Sequence, residues 1–195
     1  MEFITLTDVD KNTIEMIKGA IESLGHTPID IVIVGAEETR LEVNDMYILK
    51  VSLPVDIYKV MRETALAQIF SDPSLAEVWS VPPDVKPDGL AYELSLALLR
   101  RLVDVFVAKV RPDLVLERTN VEVVEGETLV STLVRTLAVD SSVSLAVAGH
   151  MSDALRLLKK LSQHPIYKIY RQFWDFATAN FKYLPIYNWL LLMYG

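Results

Sequence analysis

The stretch AVAGHMSDAL places Gly149, His150, Ser152 and Asp153 almost side by side in the sequence. Read as a strand that turns at Gly149-His150 into a helix capped by Ser152, it offers unpaired backbone N–H groups and the positive end of a helix dipole. Those are the elements of an anion site beyond the carboxyl end of a strand. Gly149, His150 and Ser152 are therefore candidate contacts for a nucleotide or another phosphorylated ligand. Two features oppose this reading: Asp153 repels an anion, and a single glycine is not a phosphate-binding fingerprint. The same residues lie too close in sequence to form a catalytic triad, and no nucleophile elbow is present. A capped helix start is the plain alternative.

Two acidic clusters invite a metal reading. IVIVGAEETR brings Gly35, Glu37 and Glu38 to a strand-to-loop junction, where two acids disfavour phosphate and favour a cation. The sequence names no further carboxylates to complete that site. Asp113 followed by Glu117 has the outline of an acidic nuclease site, but position 119 is Thr where that chemistry needs Lys. The histidines, His26, His150 and His164, form no ligand pattern, and there is no cysteine. Thiol nucleophiles, disulfides and Cys-ligated metals are thereby excluded. No metal, cofactor or catalytic constellation is predicted.

The most distinctive segment is HPIYKIYRQFWDFATANFKYLPIYNWLLLMYG. It holds more than half of the chain's aromatic residues. As a helix over about 166–181, it gathers Ile166, Tyr170, Phe173, Trp174 and Phe181 on one face and Lys168, Arg171 and Lys182 opposite. Single-stranded nucleic acid needs rings and cations on the same exposed surface. The segregation favours protein packing instead, against the chain's own body or against a partner. Ile166, Tyr170, Phe173, Trp174, Phe181, Tyr187 and Trp189 are thus predicted interface residues, since aromatics anchor interfaces. Nucleic-acid binding through Arg156, Lys159, Lys160, Lys168, Arg171 and Lys182 is the lesser reading.

Composition sets the frame. The chain has 195 residues, 51% hydrophobic and 23% charged, with a net charge of −7. That is a globular composition, large enough to bury a core without covalent staples. Residues 1–150 hold 24 acids and 13 Lys plus Arg, whereas residues 151–195 hold two acids and six bases. Such a split marks an interaction surface or a basic tail lying on an acidic body. A mean hydropathy of +0.28 points to a large core or a covered apolar surface. The longest apolar run near the end, WLLLMY, falls far short of the roughly 20 residues of a membrane-spanning helix. With no signal-like N-terminus, the expected location is the cytoplasm. Scarce glutamine and absent cysteine lean towards a thermophilic source.

The elements that must position these residues follow from periodicity and punctuation. FITL reads as a strand. A helix capped by Thr7 or Asp8 follows to about Leu24, and IDIVIVG is a buried strand. AEETRLEVND is a polar connection or a frayed or bent edge, MYILKVSL a strand, and Pro54 opens a helix carrying Ile57, Met61, Ala65 and Ile69. AEVWSV is a short strand. PPDVKPDG, residues 82–89, is a stiff connector, either a loop or a domain linker. Residues 90–110 form the most buried helix, with a polar stripe of Glu93, Arg100, Arg101, Asp104 and Lys109. DLVLERTNVEVVEG reads as strand. Residues 127–139 are a helix capped by Thr128 or a strand, and SVSLAVAGH is a strand. Pro165 and Pro185 break the chain.

The expectation is an α/β fold: a mostly parallel or mixed sheet flanked by helices, with an all-helical, aromatic-rich C-terminal extension. Residues 1–150 would form the α/β domain and residues 151–195 the extension, packed on it or on a partner. The expected function is non-enzymatic: homo-oligomerisation or docking to a protein partner through the C-terminal helices.

Overall fold

The computed structural model describes residues 2–6, 8–25, 27, 29–35, 38–81, 83–119 and 125–194. The chain is an α/β protein that divides into two compact units, Met1–Ala76 and Glu77–Gly195.

The first unit holds β1 (Phe3–Thr5), α1 (Lys11–Ser23), β2 (Ile29–Gly35), β3 (Arg40–Val43), β4 (Tyr47–Ser52) and α2 (Ile57–Ser71). Its sheet is mixed, in the order β1-β2-β4-β3, with β1 and β4 parallel to β2 and β3 antiparallel to β4. Strand side chains alternate between faces. Ile29, Ile31 and Ile33 of β2, with Leu49 and Val51 of β4, therefore share one face, and all are buried. They pack in one cluster with Ile17 and Ile21 of α1 and Val60 and Ala67 of α2. Each such Ile or Leu contributes about 1.5–3 kcal/mol of burial.

Local signals fix the ends of these helices. Asp10, rather than Thr7 or Asp8, caps α1: its Oδ1 accepts from Thr13 N at 3.0 Å and its Oδ2 from Thr13 Oγ1 at 2.5 Å. Thr7 lies outside the described residues. Asp56 caps α2 by accepting from Lys59 N at 3.2 Å, so the helix starts after Pro54 rather than at it. Gln68 Nε2 donates to Leu24 O at 2.9 Å and Thr27 Oγ1 at 2.8 Å, joining α2 to the end of α1. Of the two alternatives at 36–45, the edge forms: Arg40–Val43 is an outer strand of the sheet. β3 is stabilised by its ladder to β4 and by Glu63, whose Oε2 accepts from Leu41 N at 3.0 Å. Its polar look reflects an edge position, where Arg40 and Lys50 both reach Glu42 at 3.0 and 2.9 Å.

The second unit is helical throughout its described residues. After α3 (Pro73–Trp79) come α4 (Leu90–Ala108), α5 (Pro112–Leu116), α6 (Leu129–Val139), α7 (Ser142–Val147), α8 (Met151–Leu161), α9 (Tyr167–Ala179) and α10 (Tyr183–Tyr194). Three expected strands are helices. AEVWSV largely falls in α3, which opens on Asp72-Pro73: the Asp72 carboxylate accepts from Ser74 N at 3.0 Å, and proline suits a first helical turn. The start of DLVLERTNVEVVEG is α5, with Pro112 in its first turn but no side-chain cap, Asp113 pairing instead with Arg111 at 2.6 Å; residues 120–124 lie outside the described residues. SVSLAVAGH is α7, a helix buried all round, which looks apolar on every side as a central strand does.

The alternative left open at 127–139 resolves as helix, with Thr128 Oγ1 accepting from Ser131 N at 3.2 Å. Pro185 does not break the chain; it lies in the first turn of α10, where an N–H has no helical partner to lose. The described part of 82–89 is a turn region that leads into α4 through Gly89.

Gly149 ends α7 in a Schellman motif: His150 N donates to Leu145 O at 2.8 Å and Gly149 N to Ala146 O at 3.1 Å. Its φ of +98° is left-handed, and an added Cβ would meet nothing within 4 Å. Gly149→Ala should therefore cost backbone strain alone, about 1–2 kcal/mol. The expected readout is a lower urea midpoint with an unchanged denaturant slope.

Candidate functional site

The second unit is built around a buried carboxyl group. Asp140, at the end of α6, is completely buried. Its Oδ2 accepts from Tyr170 Oη of α9 at 2.6 Å and from Ser142 Oγ of α7, and its Oδ1 from Ser142 N at 3.2 Å. Trp174 Nε1 donates to Ser142 Oγ at 2.9 Å, tying α9 to α7 a second time. Arg101 of α4 completes the cluster. Its Nη1 donates to Asp140 O at 2.6 Å and its Nη2 to Ala138 O at 3.1 Å, satisfying carbonyls at the end of α6. The same Nη2 lies 2.9 Å from Asp104 Oδ2, an ion pair whose angle falls outside hydrogen bonding. Ser144 Oγ of α7 donates back to Arg101 O at 2.9 Å.

Arg101 and Asp104, expected on the polar stripe of α4, are thus buried partners. Burial pushes the Asp140 carboxyl above its ordinary range against the pull of Ser142, Tyr170 and Arg101. Burial, reinforced by the Asp140 carboxylate, pushes the Tyr170 phenol well above its usual value. Ser142 Oγ donates to a carboxylate, accepts from an indole and is inaccessible, so this cluster locks helices rather than offering a nucleophile.

The predicted interface residues divide. Ile166, Tyr170, Phe173 and Trp174 are buried inside the second unit. Phe181 packs on Trp79 with ring centroids 5.1 Å apart, and Trp189 lies between Phe173 and Phe176 at 5.6 Å from each. Tyr187 stacks on Tyr183 at 5.8 Å. The rings of α9 therefore bind α10 to the body. The surface left outside is aliphatic: Leu184, Leu191, Leu192 and Met193 of α10 are 62, 50, 86 and 51% exposed. Their signal in the sequence was WLLLMY, a run too continuous to show a face by helical period.

Beside α10 lies a second feature. Leu90 and Leu94 of α4 meet Val130 and Val134 of α6, and further along Arg101 reaches Ala138, so the two helices run side by side in the same direction. α10 covers part of the seam, leaving a small apolar slot of about 70 Å³ closed by Tyr187, Leu191 and Tyr194. The rest of the seam is an open groove of about 410 Å³. Leu96, Ala97, Val134 and Ala138 form its apolar lining, with Arg100, Arg135, Glu93 and Glu127 around it. Arg135 Nε donates to both Glu127 carboxylate oxygens, at 2.9 and 3.0 Å, and this holds the Glu127 carboxyl below its usual range.

No family model, curated protein or solved structure matches the chain.

The other predicted site residues are dispersed. Because α7 is a helix, Gly149 and His150 join two helices rather than a strand and a helix. His150, not Ser152, occupies the cap of α8, its side chain makes no capping bond, and Ser152 is exposed in the first turn. His164 Nδ1 accepts from Ile166 N at 3.3 Å. His26 and Glu37 lie outside the described residues, and Glu38 pairs with Lys59 at 3.6 Å. Of the basic set, Arg156 pairs with Asp153 and Arg171 with Asp175; Lys159, Lys160, Lys168 and Lys182 are exposed. Arg171 also lies 5.3 Å from the Trp174 ring, but that ring is buried beneath it. Among the described residues no group of carboxylates and histidines could hold a metal ion, and no helix is long and apolar enough to cross a membrane.

Asp140→Ala should leave the Tyr170 and Ser142 hydroxyls buried without an acceptor, at a cost of about 3 kcal/mol in denaturant unfolding. The pH dependence of Asp140→Asn gives a separate check. A carboxyl raised on folding favours the native state below its unfolded value of 3.8 and loses that contribution as pH rises through its folded value. The stability of the Asn variant relative to the native chain should therefore increase as pH rises from about 4.

Proposed function

We propose that the chain is a non-catalytic interaction subunit that associates with a second copy of itself through the outer face of α10. The observation that carries this reading is the character of that helix. YLPIYNWLLLMY contains no charged residue, yet Leu184, Leu191, Leu192 and Met193 all stand largely in solvent. Leu184, Leu191 and Leu192 fall within about 100° of one another around the helix, and exposed apolar surface gathered in this way marks interaction sites. A twofold contact sets each patch against its own copy, so a charged patch repels itself. α10 is neutral, whereas the chain as a whole carries −7, and this favours a like partner meeting at α10 over one meeting elsewhere. The aromatic residues take a supporting role: Trp189 between Phe173 and Phe176 holds α10 at a fixed angle, which presents the aliphatic face pre-ordered.

Static light scattering on the full chain should give twice the 22.0 kDa chain mass. Leu184→Glu combined with Leu192→Glu should return the monomer mass with unchanged circular dichroism, because both side chains are already exposed. A native chain that remains monomeric at high concentration removes the proposal.

A further inference from the structure

The groove between α4 and α6 is independent of the α10 face, and its chemistry is specific. Arg135 spends only Nε on Glu127; among the described residues the other end of its guanidinium, Nη1 and Nη2, has no acceptor, and Nη2 is shielded from solvent. The Arg135 side chain keeps a quarter of its surface in solvent, and an oxyanion in the groove meets the guanidinium from that open side. Arg100, two helical turns along α4 from Glu93, lines the same groove and makes no ion pair or hydrogen bond among the described residues. Ser131 Oγ accepts from Thr128 Oγ1 at 2.9 Å, which leaves its own hydrogen for a further oxygen. Beneath these donors lies hydrocarbon from Leu96, Ala97, Val134 and Ala138. A volume of about 410 Å³ is within the range of small-molecule sites.

We propose that this groove binds a small organic carboxylate with an apolar body, its carboxylate held by Arg100 and the open side of the Arg135 guanidinium and its hydrocarbon laid on the Leu96–Val134 floor. Arg135 and Glu127 neutralise one another, so Arg135 offers the ligand hydrogen-bond donors and Arg100 supplies the positive charge. Glu93 lines the groove without an ion pair among the described residues, and it sets an upper limit on affinity by repulsion. Inorganic phosphate satisfies the guanidinium groups but gains nothing from the floor, so the carboxylate with a tail is the preferred ligand.

The test is an isothermal or chemical-shift titration of the full chain with hexanoate, inorganic phosphate and hexylamine. Hexanoate should bind in the millimolar range or tighter, phosphate more weakly, and hexylamine not at all. Arg100→Gln, at an exposed position, should weaken hexanoate about tenfold. Arg135→Lys, which keeps the Glu127 ion pair but loses the planar fork, should do the same. Glu93→Gln should strengthen binding. Hexanoate that fails to bind, that binds no better than hexylamine, or whose affinity is unchanged in Arg100→Gln and Arg135→Lys overturns the proposal. None of these outcomes depends on whether α10 self-associates, since these variants leave that helix untouched.

Discussion

A carboxyl group withdrawn from water must be met on every side by donors, and in the second unit that requirement organises the helices. The donors that reach Asp140 come from α7 and α9, and the guanidinium that caps its carbonyl comes from α4. Apolar burial alone would tolerate small rotations of these helices, since hydrophobic contact has no direction. Hydrogen bonds near 2.6–2.9 Å tolerate far less. The network thus converts a loosely determined bundle into one with a defined register. Phe173 and Phe176 are carried on α9 at the angle that receives Trp189 of α10. The groove beside α4 inherits its shape from the same source: Arg101 sits one residue beyond Arg100 and pins the α4–α6 seam at its far end.

Elements with both a period and a boundary signal were legible in the sequence. Thr128 with Leu133 and Leu137 announced α6, and the isoleucines of IDIVIVG announced the central strand of the first sheet. What escaped was structure whose determinant lies elsewhere in the chain. SVSLAV is compatible with strand or helix; its helical form is held by Arg101 and Trp174, far away in sequence. Arg101 and Asp104 looked like a solvated stripe because a periodic pattern cannot report that two charges will bury one another. Edge strand β3 stayed ambiguous with a polar connection for the opposite reason: its charges are solvated, and only the ladder to β4 decides for sheet.

The packing of the aromatic tail was legible in kind but not in place. Segregation of rings from cations on α9 correctly implied that protein, not solvent, covers Tyr170, Phe173 and Trp174, and the covering protein is the chain's own second unit. The aliphatic face of α10 carries no such contrast, because a helix apolar on all sides gives periodicity nothing to detect. The groove escaped for a geometric reason: Arg100 and Arg135 meet only once two separate helices lie side by side. The glycine at 149, which invited a phosphate reading, closes a helix instead.

The sheet of the first unit has a consequence for how copies of this chain can meet. Its outermost strands are three and four residues long, and the charges of Arg40, Glu42 and Lys50 crowd the β3 side. Edges so short make poor templates for another strand, and the charges add to this on the β3 side. Open-ended growth by backbone pairing, the route to fibres, is disfavoured at both margins.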